Sequence, residues 1–350
     1  MHEIILDLPH LPGGEVRLLG WLARPGQALR RGAPLCLVEQ AGRQFDVPAL
    51  RDGVVQRLIA TPEAPLGPGA PLAALAAPHA AWIGDVPVPG GTLHVRRWPA
   101  AAASRGTCLL LHGFAGSLDT WVGTAAMLAG DGFVVVAPDL PGHGASQVTA
   151  DTPQAIARML ADAWGHLGLT GPVHLIGHSM GGAIALLLAA AQPQRLASLT
   201  LVAPLGLGGT VDGSFLQGVL AASDAASLGA ALHPLTARPM PQDAAALTAM
   251  LACLDRHRPM LRGLAAALAD GDRQRLDLRA VLAELKLPAR LIVGDADAVL
   301  PWAVIVPPPH VPLHRLPCGH MPHWEQPGLM RRLLAQHDWR AHAPHSGGRQ

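Results

Sequence analysis

Apolar positions fall into two regimes along this chain. In residues 1–78 they form short runs, Glu15 to Leu22, Pro34 to Glu39, Gln44 to Val47 and Gly53 to Ala60. Turn signals punctuate them at Pro25-Gly26, Arg31-Gly32, Ala41-Gly42, Asp52-Gly53 and Gly67-Pro68-Gly69. Evenly spaced short runs between turns predict an all-β module. The Ala/Pro-rich stretch Ala73 to Ala81 reads as linker, and a boundary at 79–85 separates the module from the longer C-terminal part of the chain.

From Val86 onward the pattern changes. Continuous apolar runs occur at Leu93 to Val95, Cys108 to Leu111, Phe133 to Ala137, Val173 to Ile176, Leu199 to Val202, Leu291 to Val293 and, weakly, Val311 to Leu316. Helical periodicity lies between several of them, at Thr120 to Leu128, Pro153 to His166 and Met180 to Ala191. Runs without alternation imply strands covered on both faces, hence an α/β domain with a mainly parallel sheet over 86–340. From about Gly206 to Leu285 there is no good strand, only Ala/Leu-rich helical pattern, which predicts a helical insertion between two strands. The last residues, 341–350, read as a frayed tail.

Composition narrows the function classes. A formal net charge of +1 carries no nucleic-acid or anionic-membrane footprint. No apolar run reaches the ~18 residues of a membrane span. The N-terminus carries His2, Glu3 and Asp7, unlike a secretory signal. Four scattered cysteines, Cys36, Cys108, Cys253 and Cys318, read as reduced thiols of a cytoplasmic protein. Of 26 Lys and Arg residues only Lys286 is a lysine, so any lysine-dependent chemistry must use that position.

The sharpest motif is Gly177-His178-Ser179-Met180-Gly181, placed between an apolar run and a helical stretch. Strand, tight turn and helix form the context in which Gly-x-Ser-x-Gly presents a serine nucleophile. Gly177 and Gly181 give the turn room, and the helix start favours developing negative charge at Ser179. Such a serine needs a base, and the base needs an orienting carboxylate. Past the Leu291 run, Asp295 and Asp297 both qualify. Asp297 is preferred, because it stands at the last position of Gly-x-x-Asp with Pro301 four residues on. In Pro317-Cys318-Gly319-His320-Met321-Pro322-His323, His320 follows a turn-permitting glycine and is taken as the base, with His323 as a decoy. Oxyanion donors are expected from the N–H groups of Met180 and of Phe114, in the loop His112-Gly113-Phe114-Ala115-Gly116. The loop Asp139-Leu140-Pro141-Gly142-His143-Gly144 reads as a structural turn at the rim of this site. No metal site is expected.

Together, His-Gly-Phe, Asp-Leu-Pro-Gly-His-Gly, Gly-His-Ser-Met-Gly-Gly and Gly-His-Met-Pro-His-Trp-Glu-Gln-Pro resemble the α/β-hydrolase superfamily over about residues 86–338. The resemblance implies Ser179 as nucleophile, Asp297 as acid, His320 as base, and Phe114 and Met180 as oxyanion donors. It also implies a cap, at about 206–285, over an apolar pocket for a small acyl substrate. The superfamily includes esterases, carbon–carbon hydrolases, thioesterases and acyltransferases, so fold leaves the substrate open.

Residues 1–78 resemble a lipoyl/biotinyl carrier domain, through Gly14-Glu15-Val16, Gly20-Trp21-Leu22-Ala23-Arg24-Pro25-Gly26, Arg31-Gly32-Ala33-Pro34-Leu35 and Asp52-Gly53-Val54-Val55. Such domains offer a lysine on a tight hairpin. Here the hairpin reads Glu39-Gln40-Ala41-Gly42-Arg43-Gln44, with Gly42 at the lysine position. Arginine is no substitute acceptor for an amide link, so neither lipoate nor biotin is expected. The order of the two domains resembles the acetyltransferase (E2) subunits of acetoin dehydrogenase systems, which implies dehydrogenase-complex subunits as partners.

Overall fold

The computed structural model describes residues 4–9, 11, 15–23, 25, 28–29, 32–50, 53–76, 82–101, 104–169, 171–238, 243–302 and 305–335. Gly14, Arg24, Gly26, Arg31, Asp52, the linker positions 79–81 and the tail 341–350 lie outside them. The described residues fall into two compact units, Met1–Ile83 with Arg97–Ala101, and Gly84–Arg96 with Ala102–Gln350.

The first unit is all-β. Its strands are β1 (Ile4–Asp7), β2 (Val16–Trp21), β3 (Ala28–Leu29), β4 (Pro34–Gln40), β5 (Arg43–Pro48), β6 (Gly53–Leu58), β7 (Pro65–Leu66) and β8 (Pro71–Ala76). They form two four-stranded sheets, ordered β1-β8-β6-β3 and β5-β4-β2-β7. A shared core includes Leu18, Cys36, Val38, Val55, Leu72 and Leu75, each fully buried. The stretch from Ala73, expected to begin a linker, instead completes β8, which pairs with β1 on one side and β6 on the other. Alanine has low strand propensity, but here small side chains fit a central strand closed over by neighbours. Gln40 pairs with Arg43, leaving Ala41 and Gly42 as a two-residue turn with φ of 51° and 75°. Positive φ at both positions is the hairpin geometry that glycine favours.

The second unit is built on a sheet of eight strands, of which Trp82, Ile83, Arg97 and Trp98 at the strand ends are grouped with the first unit. These are β9 (Trp82–Val88), β10 (Gly91–Trp98), β11 (Thr107–Leu111), β12 (Val134–Pro138), β13 (Val173–His178), β14 (Leu196–Val202), β17 (Ala289–Gly294) and β18 (Leu313–Leu316). Their order is β18-β17-β14-β13-β11-β12-β10-β9. All pairings from β12 to β18 are parallel. Residues 82–85, expected as linker, are part of β9. Strands β11, β13 and β17 are buried at every position, as their unbroken apolar runs require.

Helices α1 (Val122–Gly130), α2 (Pro153–Asp162) and α3 (Met180–Ala191) follow β11, β12 and β13. The helix expected to reach His166 stops at Asp162, ahead of Gly165 and Gly168. Between β14 and β17 lies the insertion: α4 (Gly213–Ala221), α5 (Ala225–Leu232) and the 25-residue α6 (Ala244–Leu268). It is not wholly helical. A short antiparallel pair, β15 (Ala269–Asp270) and β16 (Arg273–Gln274), closes it. Helix α7 (Arg279–Glu284) packs on α3, so the cap ends earlier than residue 285. Two helices, α8 (Pro322–Glu325) and α9 (Pro327–Ala335), finish the unit. Among the described residues no helix is long and apolar enough to cross a membrane. All four cysteines are free, and burial pushes the thiols of Cys36 and Cys318 up to about 11 and about 12.

Candidate active site

Ser179 sits between β13 and α3 with φ of 53° and ψ of −119°, a strained conformation for a residue with a side chain. The turn is enforced by close packing. A Cβ at Gly181 would lie 2.3 Å from the Leu111 carbonyl oxygen, and one at Gly177 2.3 Å from the Gly181 carbonyl oxygen. Only glycine lets α3 press this closely against β11 and β13. The same tight approach explains why α3 is buried on nearly every side.

His320 and Asp297 meet at the ends of β18 and β17. His320 Nδ1–H donates to Asp297 Oδ2 at 2.8 Å, and both side chains are essentially inaccessible. The carboxylate is fully engaged. Its Oδ1 accepts from the N–H groups of Val299 (2.9 Å) and Leu300 (2.8 Å), and its Oδ2 also accepts from Trp302 Nε1 (3.2 Å). Charge buried this deeply persists only with such partners. Asp295 is brought elsewhere, facing Arg315 at 3.4 Å in an exposed pair. Ser179 and His320 line one cavity of about 280 Å³.

The cavity lies between the sheet and the insertion. Its floor includes Gly113, Phe114, Ala115 and Gly116, with His178 and Met321. Thr120 and Trp324 form a side wall. The insertion contributes Phe215, Leu232, His233, Leu235, Thr236, Asp243, Ala246, Leu247 and Met250. Among the described residues no lysine or arginine lines it. Phe114 is among the residues that line it. Met180 does not line the cavity. Its side chain is fully buried, and its backbone opens the first turn of α3.

Two histidines hold this geometry, His112 of the expected oxyanion loop and His143 of the loop read as a structural turn. His112 Nδ1–H donates to the Gly113 carbonyl (2.8 Å), and its Nε2 accepts from the Leu140 N–H (2.9 Å). His143 Nδ1–H donates to the Pro141 carbonyl (2.9 Å), and its Nε2 accepts from the Ala115 N–H (3.1 Å). The loop after β11 and the loop after β12 are thus stitched together by two neutral imidazoles. Asp139 adds to the seam by accepting from the N–H groups of Leu118 and Ala145. Burial pushes His112 down to about 4 and His143 down to about 3.

His178, read only as the variable residue of the serine motif, donates from Nε2 to the His320 carbonyl at 2.8 Å. Burial, then the neighbouring His320 and His323, hold it well below the usual histidine range. His323 stacks on Trp121 with ring centroids 4.6 Å apart, and burial pushes it down to about 3. The sequence could not single out His178, because its partner, the His320 carbonyl, lies on a distant loop. Trp302 bonds Asp297 within the same loop, but no spacing rule marks an indole as a carboxylate partner. Among the described residues no group of three His, Cys, Asp or Glu could hold a metal ion.

In the first unit, Gly42 lies in the β4–β5 turn, and residues 1–78 contain no lysine. The residues present do not fit an amide-linked lipoyl or biotinyl group.

The family described as alpha/beta hydrolase fold matches residues 107–327. The dihydrolipoyllysine-residue acetyltransferase component of the acetoin cleaving system of Pseudomonas putida is 35% identical, over 92% of this chain and 94% of its own length. The component of the same name from Cupriavidus necator is 32% identical over 66% of this chain and 63% of its length. Among solved structures, 2-hydroxy-6-oxo-6-phenylhexa-2,4-dienoate hydrolase from a Rhodococcus species superposes with a TM-score of 0.63 at 21% identity, covering 74% of this chain and 99% of that one. The last likeness is one of fold alone.

Proposed function

This chain belongs to the α/β-hydrolase fold family, and we propose that it is a serine-nucleophile hydrolase of a small acyl ester, thioester or diketone-like substrate. The observation that carries the reading is the pairing of a strained, cavity-facing Ser179 with a His320 whose Nδ1–H is bonded to a buried carboxylate. Since Nδ1 carries the proton, Nε2 is the basic nitrogen. His320 takes the Ser179 hydroxyl proton as the oxygen attacks the acyl carbon. The oxyanion is met by the N–H groups of Phe114 and Met180. His320 returns the proton to the leaving group, and water then releases the acyl group by the same sequence in reverse. Asp297 stays ionised throughout and holds the imidazole orientation. The mainly apolar lining, with no lysine or arginine among the described residues, favours a neutral acyl portion over one bearing a carboxylate.

A fluorophosphonate probe and 4-nitrophenyl acetate, applied to the wild type and Ser179→Ala, test this. Labelling and turnover are expected in the wild type alone, and equal signals in both would overturn the reading.

The end-to-end similarity to the Pseudomonas putida acetyltransferase component supports a second reading, acyl transfer from the acyl-enzyme to coenzyme A or dihydrolipoamide within a dehydrogenase complex. Its acyl carrier would have to be a lipoyl arm on another chain. Co-purification with a dehydrogenase component, and acyl transfer to free dihydrolipoamide or coenzyme A, are expected on that reading. Absence of both would remove it.

A further inference from the structure

The stretch Gly319 to Pro327 does more than carry His320. Glu325, at the end of α8, accepts two backbone hydrogen bonds with its two carboxylate oxygens. Oε1 takes the N–H of Gly319 at 2.7 Å. Oε2 takes the N–H of Ala237 at 2.9 Å. Gly319 is the residue before His320. Ala237 belongs to the insertion, just after Leu235 and Thr236, which line the cavity. One carboxylate thus joins the loop of the base to the cap.

The two segments are in direct contact. A Cβ at Gly319 would lie 2.6 Å from the Ala237 nitrogen and 2.8 Å from the Thr236 carbonyl carbon. The peptide before His320 and the cap wall therefore share one surface, with glycine required to seat it. Glu325 is itself held in place: α8 starts at Pro322, and the adjacent Trp324 donates from Nε1 to the Thr120 carbonyl at 2.9 Å.

We propose that Glu325 is a positioning residue that couples the placement of His320 to the seating of cap residues Leu235 to Ala237 over the acyl cavity. The proposal rests on the hydrolase reading for its kinetic consequence, but not for the link itself. Substrate packing against Leu235 and Thr236 acts on the Ala237 peptide, and Glu325 passes that constraint to Gly319 and His320. A carboxylate suits the role because both partners are donors. An amide at this position would turn one of its two acceptors into a donor facing an N–H.

The test combines kinetics with amide hydrogen exchange on the full chain. Glu325→Gln should lower kcat for an acyl ester about tenfold while KM changes less than about threefold, the pattern of a lost transition-state alignment. Ala237→Pro, which deletes the cap donor, should do the same. The double variant should be no slower than either single one, because both cut one link. In Glu325→Gln, exchange should accelerate together in peptides covering 233–238 and 318–321. Independent, multiplying kinetic losses, or unchanged exchange at 233–238 in folded Glu325→Gln, would overturn the proposal. If the wild type hydrolyses no ester, exchange still decides the link, and the hydrolase reading alone fails.

Discussion

Three imidazoles packed around the candidate site, His112, His143 and His323, are between 0% and 4% exposed and held neutral by burial. Their folded values lie at about 4, about 3 and about 3, against 6.5 for a free histidine. A histidine depressed on folding takes up its proton more readily in the unfolded chain. Its contribution to stability is therefore complete above the unfolded value and is lost as pH falls from about 6.5 toward the folded value. At about pH 5 each of the three costs about 2 kcal/mol relative to about pH 7.5, or about 6 kcal/mol together. His178, depressed for the same reason, adds to the loss with the same sign. Asp139 opposes it, because burial raises its carboxyl above the usual carboxylate value, and that cost is relieved as pH falls through the raised value toward the usual one. A loss of about 6 kcal/mol matches the lower end of the stability of a whole folded domain.

Urea unfolding followed by tryptophan fluorescence between about pH 7.5 and about pH 5 measures this directly. The unfolding free energy should fall by about 3–4 kcal/mol per pH unit near pH 5, equivalent to about three protons taken up on unfolding. His143→Gln should be less stable at neutral pH yet flatter with pH, by about one proton. A stability that stays level across this window, or a slope unchanged in His143→Gln, would refute the reasoning.

Asp297→Asn places an amide against four donors, two of them backbone N–H groups, and should lower kcat roughly 10³–10⁴-fold by favouring the wrong His320 tautomer. Steady-state turnover of a 4-nitrophenyl ester checks this, and a loss below tenfold would argue against the assigned role. Gly181→Ala drives a methyl into the Leu111 and His112 carbonyl oxygens and should cost at least about 3 kcal/mol, read as a lowered urea midpoint or insoluble expression. Co-expression with a lipoate ligase should leave the intact mass unchanged, since the β4–β5 turn offers no lysine. A gain of lipoyl mass on residues 1–78 would contradict the reading of Gly42.

The α/β architecture was legible because buried parallel strands need unbroken apolar runs, and β11, β13 and β17 have them. Strands β3 and β7, of two residues each, leave no period to detect. Strand β8 was hidden by its alanines, which look like linker until two neighbouring strands cover them. The β15–β16 pair was missed in the insertion for the same reason of length.

The sequence by itself determined the residues with local signatures. Gly-x-Ser-x-Gly demands a tight turn wherever it follows a strand, and a lysine absent from residues 1–78 stays absent in any fold. The choice between Asp295 and Asp297 as the neighbour of His320 was different. Two residues apart, they have the same chemistry, and only the course of the chain after β17 sends one to the solvent beside Arg315 and the other under Trp302 to His320. The same holds for His112, His143, His178 and Glu325. Each bonds a backbone group on another loop, or on its own loop and another at once, and a backbone donor or acceptor carries no residue identity that a sequence could reveal. Tertiary structure decided those pairings, because hydrogen bonds between distant loops are fixed by packing and not by spacing along the chain.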